Sequence, residues 1–459
     1  QSGTAGSIQN SVVNTSNNLN ITSIAGNFSA SNSIFNSTNN LSITQGAAGQ
    51  LDVNQANITG NSVNVTQTGT GQLSLNNADV TSSDFTANLN GGGPTQIAGT
   101  NVSASNSLQY FQVTGSSLLN NSTLNSTGGL QLVTSAGNFT DNAGNIIGSN
   151  LTLAAHNGGS LVLNGTNTTS NAGSTRLSTV NTGTFSITGG NHTATNQLLL
   201  QSDSTAPSNW TNAALVADTG FAINSTAGLV SFNNDTFDST AGPLNLTTNA
   251  TGQLVLNNSG VTVSQVQIDQ GGQATNVINS TISILGDIGF TSTGGILSVG
   301  NGTLLESTGG NIFLTSAGAG QSIYQAATGN SVNLNITNAG TANFNAGNST
   351  FTASNVFVNN GPANLTLTNS IVNTNNLSLN LTTGSTQLGG NWTTNNTLAF
   401  NLDQGGVSYS SGNLIAPSLT FNVTNGGVLN LTGANTTSTT GDTKFSIANG
   451  GVVNLTGGI

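Results

Sequence analysis

NNLNIT at 17–22, NNLSIT at 39–44 and NSVNVT at 61–66 recur at a step of 22 residues, taken twice. A second phrase keeps the same step: GQLDVNQANIT at 49–59 and GQLSLNNADVT at 71–81, with GQLVLNNSGVT returning at 252–262. Inside each phrase apolar and polar residues alternate, which is the period of a strand with one buried side. Gly and Asn, which tolerate the backbone conformations of tight corners, punctuate the phrases. No stretch shows a helical stripe, and the strong helix formers are scattered or missing.

The last third carries two parallel ladders. Leu334/Ile336, Val356/Val358, Leu377/Leu379, Leu398/Phe400, Leu419/Phe421 and Phe445 form the first, with steps of 22, 21, 21, 21 and 24. GTANF at 340–344, GPANL at 361–365, GSTQL at 384–388, GGVSY at 405–409, GGVLNL at 426–431 and GGVVNL at 450–455 form the second. Insertions fall in both together, as they must if each step is one coil of a winding chain. A leucine-rich repeat of this length needs a signature that is absent here, and propeller blades need about 40 residues. The reading is an all-β, right-handed parallel β-helix (a β-solenoid) of about 21–24 residues per coil. It covers 1–459 as one continuous solenoid of roughly 20 coils, on the order of 100 Å at the strand spacing. The stretch SDSTAPSNWTNAAL at 202–215 breaks the pattern and reads as a loop excursion. Leu377, Leu379, Leu398, Phe400, Leu419 and Phe421 are expected to face inward, coil on coil.

Composition narrows function. Charged residues are 3% of the chain, against roughly a quarter in an ordinary domain. Arg176 and Lys444 are the only Lys or Arg, so no basic patch can grip phosphates and nucleic acid is excluded as a partner. There is no Cys, hence no disulfide or thiolate chemistry. No apolar run approaches a membrane span. A surface of Asn, Ser, Thr, Gln and Gly with a net charge of −11 suits a secreted, extracellular or cell-surface location, and a start at Gln1 fits a chain whose signal peptide has been removed.

The runs GGLQLVTSAGNFT (128–140), GGSLVLNGTNTTS (158–170) and GGNIFLTSAGAG (309–320) resemble filamentous-haemagglutinin and autotransporter-type adhesins. The resemblance covers most of the chain in texture and implies an exported β-helix. No secretion-domain motif, membrane barrel or wall-sorting signal accompanies it.

The 13 acidic residues form no set at the coil step that could supply the paired carboxylates of glycoside hydrolysis. The chain is therefore expected not to be an enzyme and to need no cofactor. Asp235 and Asp238 with Asn233 and Asn234 could offer oxygen ligands to calcium, though a polar turn is the simpler reading. His156 and His192 read as surface residues, and Trp210, Trp392 and Tyr409 as core or corner packing rather than sugar platforms. The Thr66/Thr68/Thr70 pattern does not recur on each coil, which speaks against ice binding. Among 74 Asn, 35 begin Asn-x-Ser/Thr sequons, where chance would give about 21. Candidate N-glycosylation sites are Asn121, Asn125, Asn138, Asn164, Asn191, Asn301, Asn391 and Asn435.

The monotony of the chain points to a building material: a structural subunit of a cell-surface filament, sheath or layer, assembled head to tail from copies of itself. The alternative is an adhesin passenger that binds glycans or other cell-surface components. The repeat runs close to both ends, so the contact is expected between residues near 8–22 of one subunit and 445–459 of the next. Its apolar members are Ile8, Val12, Val13, Leu19, Phe445, Ile447, Val452, Val453, Leu455 and Ile459. If the source glycosylates Asn, mass spectrometry of the intact chain will find more than the 45.7 kDa of the polypeptide; a mass with no excess sinks that expectation.

Overall fold

The computed structural model describes residues 5–457. They divide into two compact units, one of residues up to 222 with 227–238, the other of 223–226 with 239 onward. Among the described residues there is no helix. Each unit is a parallel β-solenoid.

In the first unit a coil holds three short strands, as in Ser116–Asn120, Thr123–Ser126 and Gly129–Thr134. Each lies in parallel register with its counterpart one coil on: Ser116 opposite Asn138, Thr123 opposite Asn145, Gly129 opposite Asn150. Alternation puts every second side chain inside. The strand Gly129–Thr134 buries Leu130, Leu132 and Thr134 and turns Gln131 and Val133 outward. Stacking then sets apolar residue over apolar residue. One column of the core runs Val53, Leu75, Ile97, Leu119, with Leu163, Ile187, Trp210 and Phe232 further along.

The second unit is built alike, with longer strands that bend at a corner without breaking, such as Leu365–Leu381 and Ser385–Leu402. Its core ladder is the one expected: Leu334, Val356, Leu377, Leu398 and Leu419 share one register position, and Ile336, Val358, Leu379, Phe400 and Phe421 another. All are buried. The Phe400 and Phe421 rings stack at 5.1 Å, and Phe421 and Phe445 at 4.9 Å.

Three sequence expectations need correction. The segment 202–215 is no excursion: it contributes to Leu198–Ser204, Ser208–Thr211 and Ala214–Ala217, each in register with the coil before it. Trp210 lies in the core because its ring fills the column between Ile187 and Phe232. The second ladder is also displaced at one step. Leu365 pairs with Thr386, and Leu388 with Leu367. A two-residue shift keeps the same side inward, so the pattern alone cannot detect it. Finally, His192 is buried rather than at the surface.

A coil must turn three corners, and there the strand ladder cannot satisfy every backbone group. One corner repeats a single device. A residue with positive φ is followed by a small buried one: Asn77–Ala78, Gly99–Thr100, Asn121–Ser122, Gly165–Thr166. The left-handed conformation explains why Asn recurs there. The hydroxyl then replaces the missing ladder bonds. Thr100 Oγ1 accepts from Ala78 N at 3.3 Å and donates to Leu75 O at 2.9 Å. Ser122 does the same toward Thr100 N and Ile97 O. In the second unit Ser280, Thr303, Ser349 and Ser370 hold the corresponding carbonyls. Another corner is clamped from inside by buried amides and hydroxyls. Gln45 Nε2 donates to the carbonyls of Gly46, Ala47 and Gly49, Gln67 to Gly71, Gln270 to Gly272 and Ser316 to Gly320.

Replacing Phe400 by Asp buries a lone carboxylate in the stacked column. The expected loss is several kcal/mol, roughly 3–5, read as a lowered melting midpoint; an unchanged midpoint would contradict the core assignment.

Candidate functional surfaces and buried polar groups

The outer surface is organised by amide ladders. Residues one coil apart face the same way, so an Asn above an Asn can donate Nδ2–H to the Oδ1 below. Asn142 bonds to Asn120 at 2.8 Å and Asn164 to Asn142 at 2.9 Å. In the second unit one ladder runs Asn311, Asn333, Asn355, Asn376 at 2.7, 2.8 and 2.9 Å. Another runs Asn359, Asn380, Asn401, Asn422 at 3.0, 2.9 and 2.8 Å, and a third runs Asn391, Asn413, Asn435.

Between the first two ladders lies a row that breaks the polar rule. Phe313 is in register with Asn335, Asn335 with Phe357, and Phe357 with Ser378. Phe313 and Phe357 are 38% and 40% exposed. Both were overlooked at the sequence level, although the signal was there. In NIFLTS and NVFVNN the flanking apolar residues take the inward positions, so the central Phe must point out.

The sequons fall largely outside. Asn121, Asn138, Asn164, Asn191, Asn301, Asn391 and Asn435 are exposed, and Asn125 is half-buried. Asn121 and Asn301 sit at positive φ in corners, whereas Asn164, Asn391 and Asn435 already serve in ladders.

The residues expected at a subunit contact lie on end coils of the described chain. Ile8, Val13, Leu19 and Val453 are half-buried, and Val12 and Val452 exposed. Phe445, Ile447 and Leu455 are 38%, 52% and 61% exposed, although their register partners Phe421, Val423 and Leu431 are buried. Ile459 lies outside the described residues.

Inside, a few polar groups replace the regular corner. Gly144 occupies a position that holds Thr or Ser in neighbouring coils, and no hydroxyl stands there. The Asp141 carboxylate fills the space: a Cβ on Gly144 would run into it. Asp141 takes a core position between Leu119 and Leu163, where its carboxyl is shut off from solvent and the Thr166 hydroxyl is the polar group acting on it. Burial raises its pKa to about 7. Asp235 is buried too, with Oδ1 accepting from Ala213 N at 2.7 Å, and burial raises its pKa to about 6. This overturns the calcium-turn reading. Asp235 points inward as a corner residue while Asp238 is exposed, so alternation separates them. His192 Nδ1 lies 2.9 Å from Thr168 Oγ1, and its ring meets Trp210 edge-on at 5.5 Å. Burial lowers its pKa to about 4, leaving it neutral. Trp392 and Tyr409 are core residues, as expected. The Tyr409 hydroxyl donates to Gly390 O at 2.7 Å, at a corner where glycine takes the place of the serine seen at Ser370. Among the described residues no three His, Cys, Asp or Glu are grouped to hold a metal, and no helix is long and apolar enough to cross a membrane.

No family model matches this chain, and no curated protein or solved structure matches it either.

Between about pH 4 and pH 7 the folded chain keeps protons on Asp141 and Asp235 that the unfolded chain has released, their unfolded values being near 3.8. These two carboxyls therefore make stability fall as pH rises, Asp235 up to about pH 6 and Asp141 up to about pH 7, while the neutral His192, lowered from 6.5 to about 4, offsets part of that fall below about pH 6.5. Asp141→Asn removes the larger share of this slope and should raise the melting midpoint at about pH 8 while changing little at about pH 4. Equal midpoint shifts at both pH values would show that Asp141 carries no buried proton.

Proposed function

We propose that this chain is a structural protein of the cell exterior, an element of a filament, sheath or surface layer in which β-solenoids stack along their axis. The observation that carries this reading is the set of outer amide ladders. Their bonds run from coil to coil, in the stacking direction, and add side-chain links to the backbone links at the same interface. Each exposed link contributes modestly, on the order of 0.5–1.5 kcal/mol. Repeated on successive coils, they resist separation of the coils and favour a durable, stiff material.

The same geometry makes any coil a template for another. A coil laid over Phe445, Ile447 and Leu455, from the same polypeptide or a neighbouring one, would bury apolar columns that are closed one coil earlier. In a filament the natural occupant is the coil around Ile8, Val13 and Leu19 of the next copy. Such a head-to-tail contact propagates as a fibre. The resemblance in texture to filamentous-haemagglutinin and autotransporter-type surface proteins supports the extracellular setting. An adhesin passenger is the second reading, and the exposed Phe313 and Phe357 favour it, since a pure building block has no need of aromatic rings on a polar face.

Electron microscopy of native material, with the size of the purified chain in solution, separates the two. Fibres and concentration-dependent oligomers are expected. A stable monomer seen only as single particles overturns the structural reading and leaves the adhesin.

A further inference from the structure

We propose that the face bearing Phe313, Asn335 and Phe357 is a binding site for a linear, uncharged polysaccharide of β-linked pyranoses, lying along the stacking direction.

The face has three outward rows. Asn311, Asn333, Asn355 and Asn376 form one, Phe313, Asn335, Phe357 and Ser378 the second, and Thr315, Thr337, Asn359 and Asn380 the third. Successive outward residues on a strand are about 7 Å apart and neighbouring strands about 4.8 Å. The two rings are therefore about 9.6 Å apart along the stack, with a half-buried amide, Asn335, between them. Among the described phenylalanines the remaining exposed one is Phe445, on the end coil. Other apolar side chains are exposed in the same unit, Leu285, Ile296, Val332 and Ile371 among them, but these are aliphatic; away from the end coil the exposed phenyl rings are Phe313 and Phe357, and they stand in one row.

Each element of the face matches a part of such a chain. The face of a phenyl ring is electron-rich and attracts the weakly positive C–H groups on one face of a pyranose. An extended β-linked chain advances by two sugars over a distance close to the Phe–Phe step, so alternate rings can stack while the intervening sugar lies over Asn335. The flanking rows serve the hydroxyls. An Asn inside a ladder spends one N–H and one oxygen lone pair on its neighbours. Its second N–H and second lone pair remain for a ligand. The Asn311–Asn376 edge thus offers donors and acceptors at the coil repeat, held in place by its ladder, and the other edge offers the hydroxyls of Thr315 and Thr337 followed by the bonded amides of Asn359 and Asn380. Electrostatics selects the class: the four strand segments at 311–316, 333–338, 355–360 and 376–381 contain no charged residue. The Asp287 carboxylate at the margin is occupied by Asn311, which donates from both N and Nδ2. An anionic or cationic polymer finds no counter-charge there, whereas a neutral one needs none.

The alternative occupant of an exposed aromatic pair is the flank of a second solenoid. That contact would not require the amide edges to stay hydrogen-bond competent, nor the two-coil spacing of the rings. The glycan site is independent of whether the chain forms filaments, so the two readings fail separately.

The test is titration calorimetry and affinity electrophoresis of the full chain with soluble neutral β-linked glucans and mannans, oligosaccharides of increasing length, and a charged polysaccharide as control. Binding is expected for the neutral chains, strengthening until the oligosaccharide spans both rings. The double variant Phe313→Ser/Phe357→Ser places residues typical of outward positions, so its fold should survive; circular dichroism and melting check this. Its affinity is expected to drop about tenfold or more, in line with two lost stacking contacts. Asn335→Ala, which leaves both rings, should weaken binding by less. The proposal is overturned if no neutral glycan binds, if the double variant binds as well as the parent, or if the charged control binds equally. It is also overturned if the double substitution changes only the oligomeric size in sedimentation, which would assign the patch to contact between copies.

Discussion

Everything in this molecule depends on the hydrogen bond between a backbone N–H of one coil and a backbone C=O of the next. Among the described residues it recurs from coil to coil through each unit, and it fixes the coil spacing and the register of every column. Its weakness is the corner. Where the chain changes direction, the donors and acceptors of adjacent coils no longer face each other, and buried ones left unpaired cost on the order of 1–3 kcal/mol each. The buried Ser, Thr and Gln residues are the answer. Thr100 and Ser122 bond across coils at one corner, and Gln45 and Gln67 grip a run of carbonyls at another. Where the regular hydroxyl is lost, a different side chain enters the gap, as with Asp141 beside Gly144 and Tyr409 at Gly390.

The same stacking governs the surface. A residue type repeated in an outward column meets itself at about 4.8 Å, where two like charges repel even in water by about 0.9 kcal/mol. A charged column is thus self-defeating, and 3% charged residues becomes intelligible. Several of the acids that remain stand below an amide donor. Asn101 donates to Asp79 at 3.0 Å, Asn106 to Asp84 at 2.8 Å, and Asn425 to Asp403. Asn over Asn is attractive because a carboxamide carries both donor and acceptor. The excess of sequons follows in part from this: an outward Asn, an inward apolar residue and an outward Thr write Asn-Leu-Thr along a strand. A neutral surface rich in amides is also one on which two exposed rings stand out as an address for another neutral polymer.

The repeat step, the strand period and the Gly and Asn punctuation, all present in the chain itself, determined the parallel solenoid and the inward ladder through Phe400 and Phe421. They are local and additive signals: period two fixes which side is buried, and the coil step fixes what lies above what. The same arithmetic placed Phe313 and Phe357 outside and Asp141 inside, had it been carried through each strand. Only the tertiary structure decided the rest. SDSTAPSNWTNAAL looks like a break because its apolar residues are sparse, yet Trp210 alone has enough volume to fill its column between Ile187 and Phe232. Leu365 was aligned with Leu388 but pairs with Thr386, because a two-residue slip leaves the alternation intact and is settled by hydrogen bonds between coils. His192 and Asp235 read as surface polar residues until neighbouring coils closed over them. Each of these depends on a residue about 22 positions away, and the strand pattern speaks only of neighbours two apart.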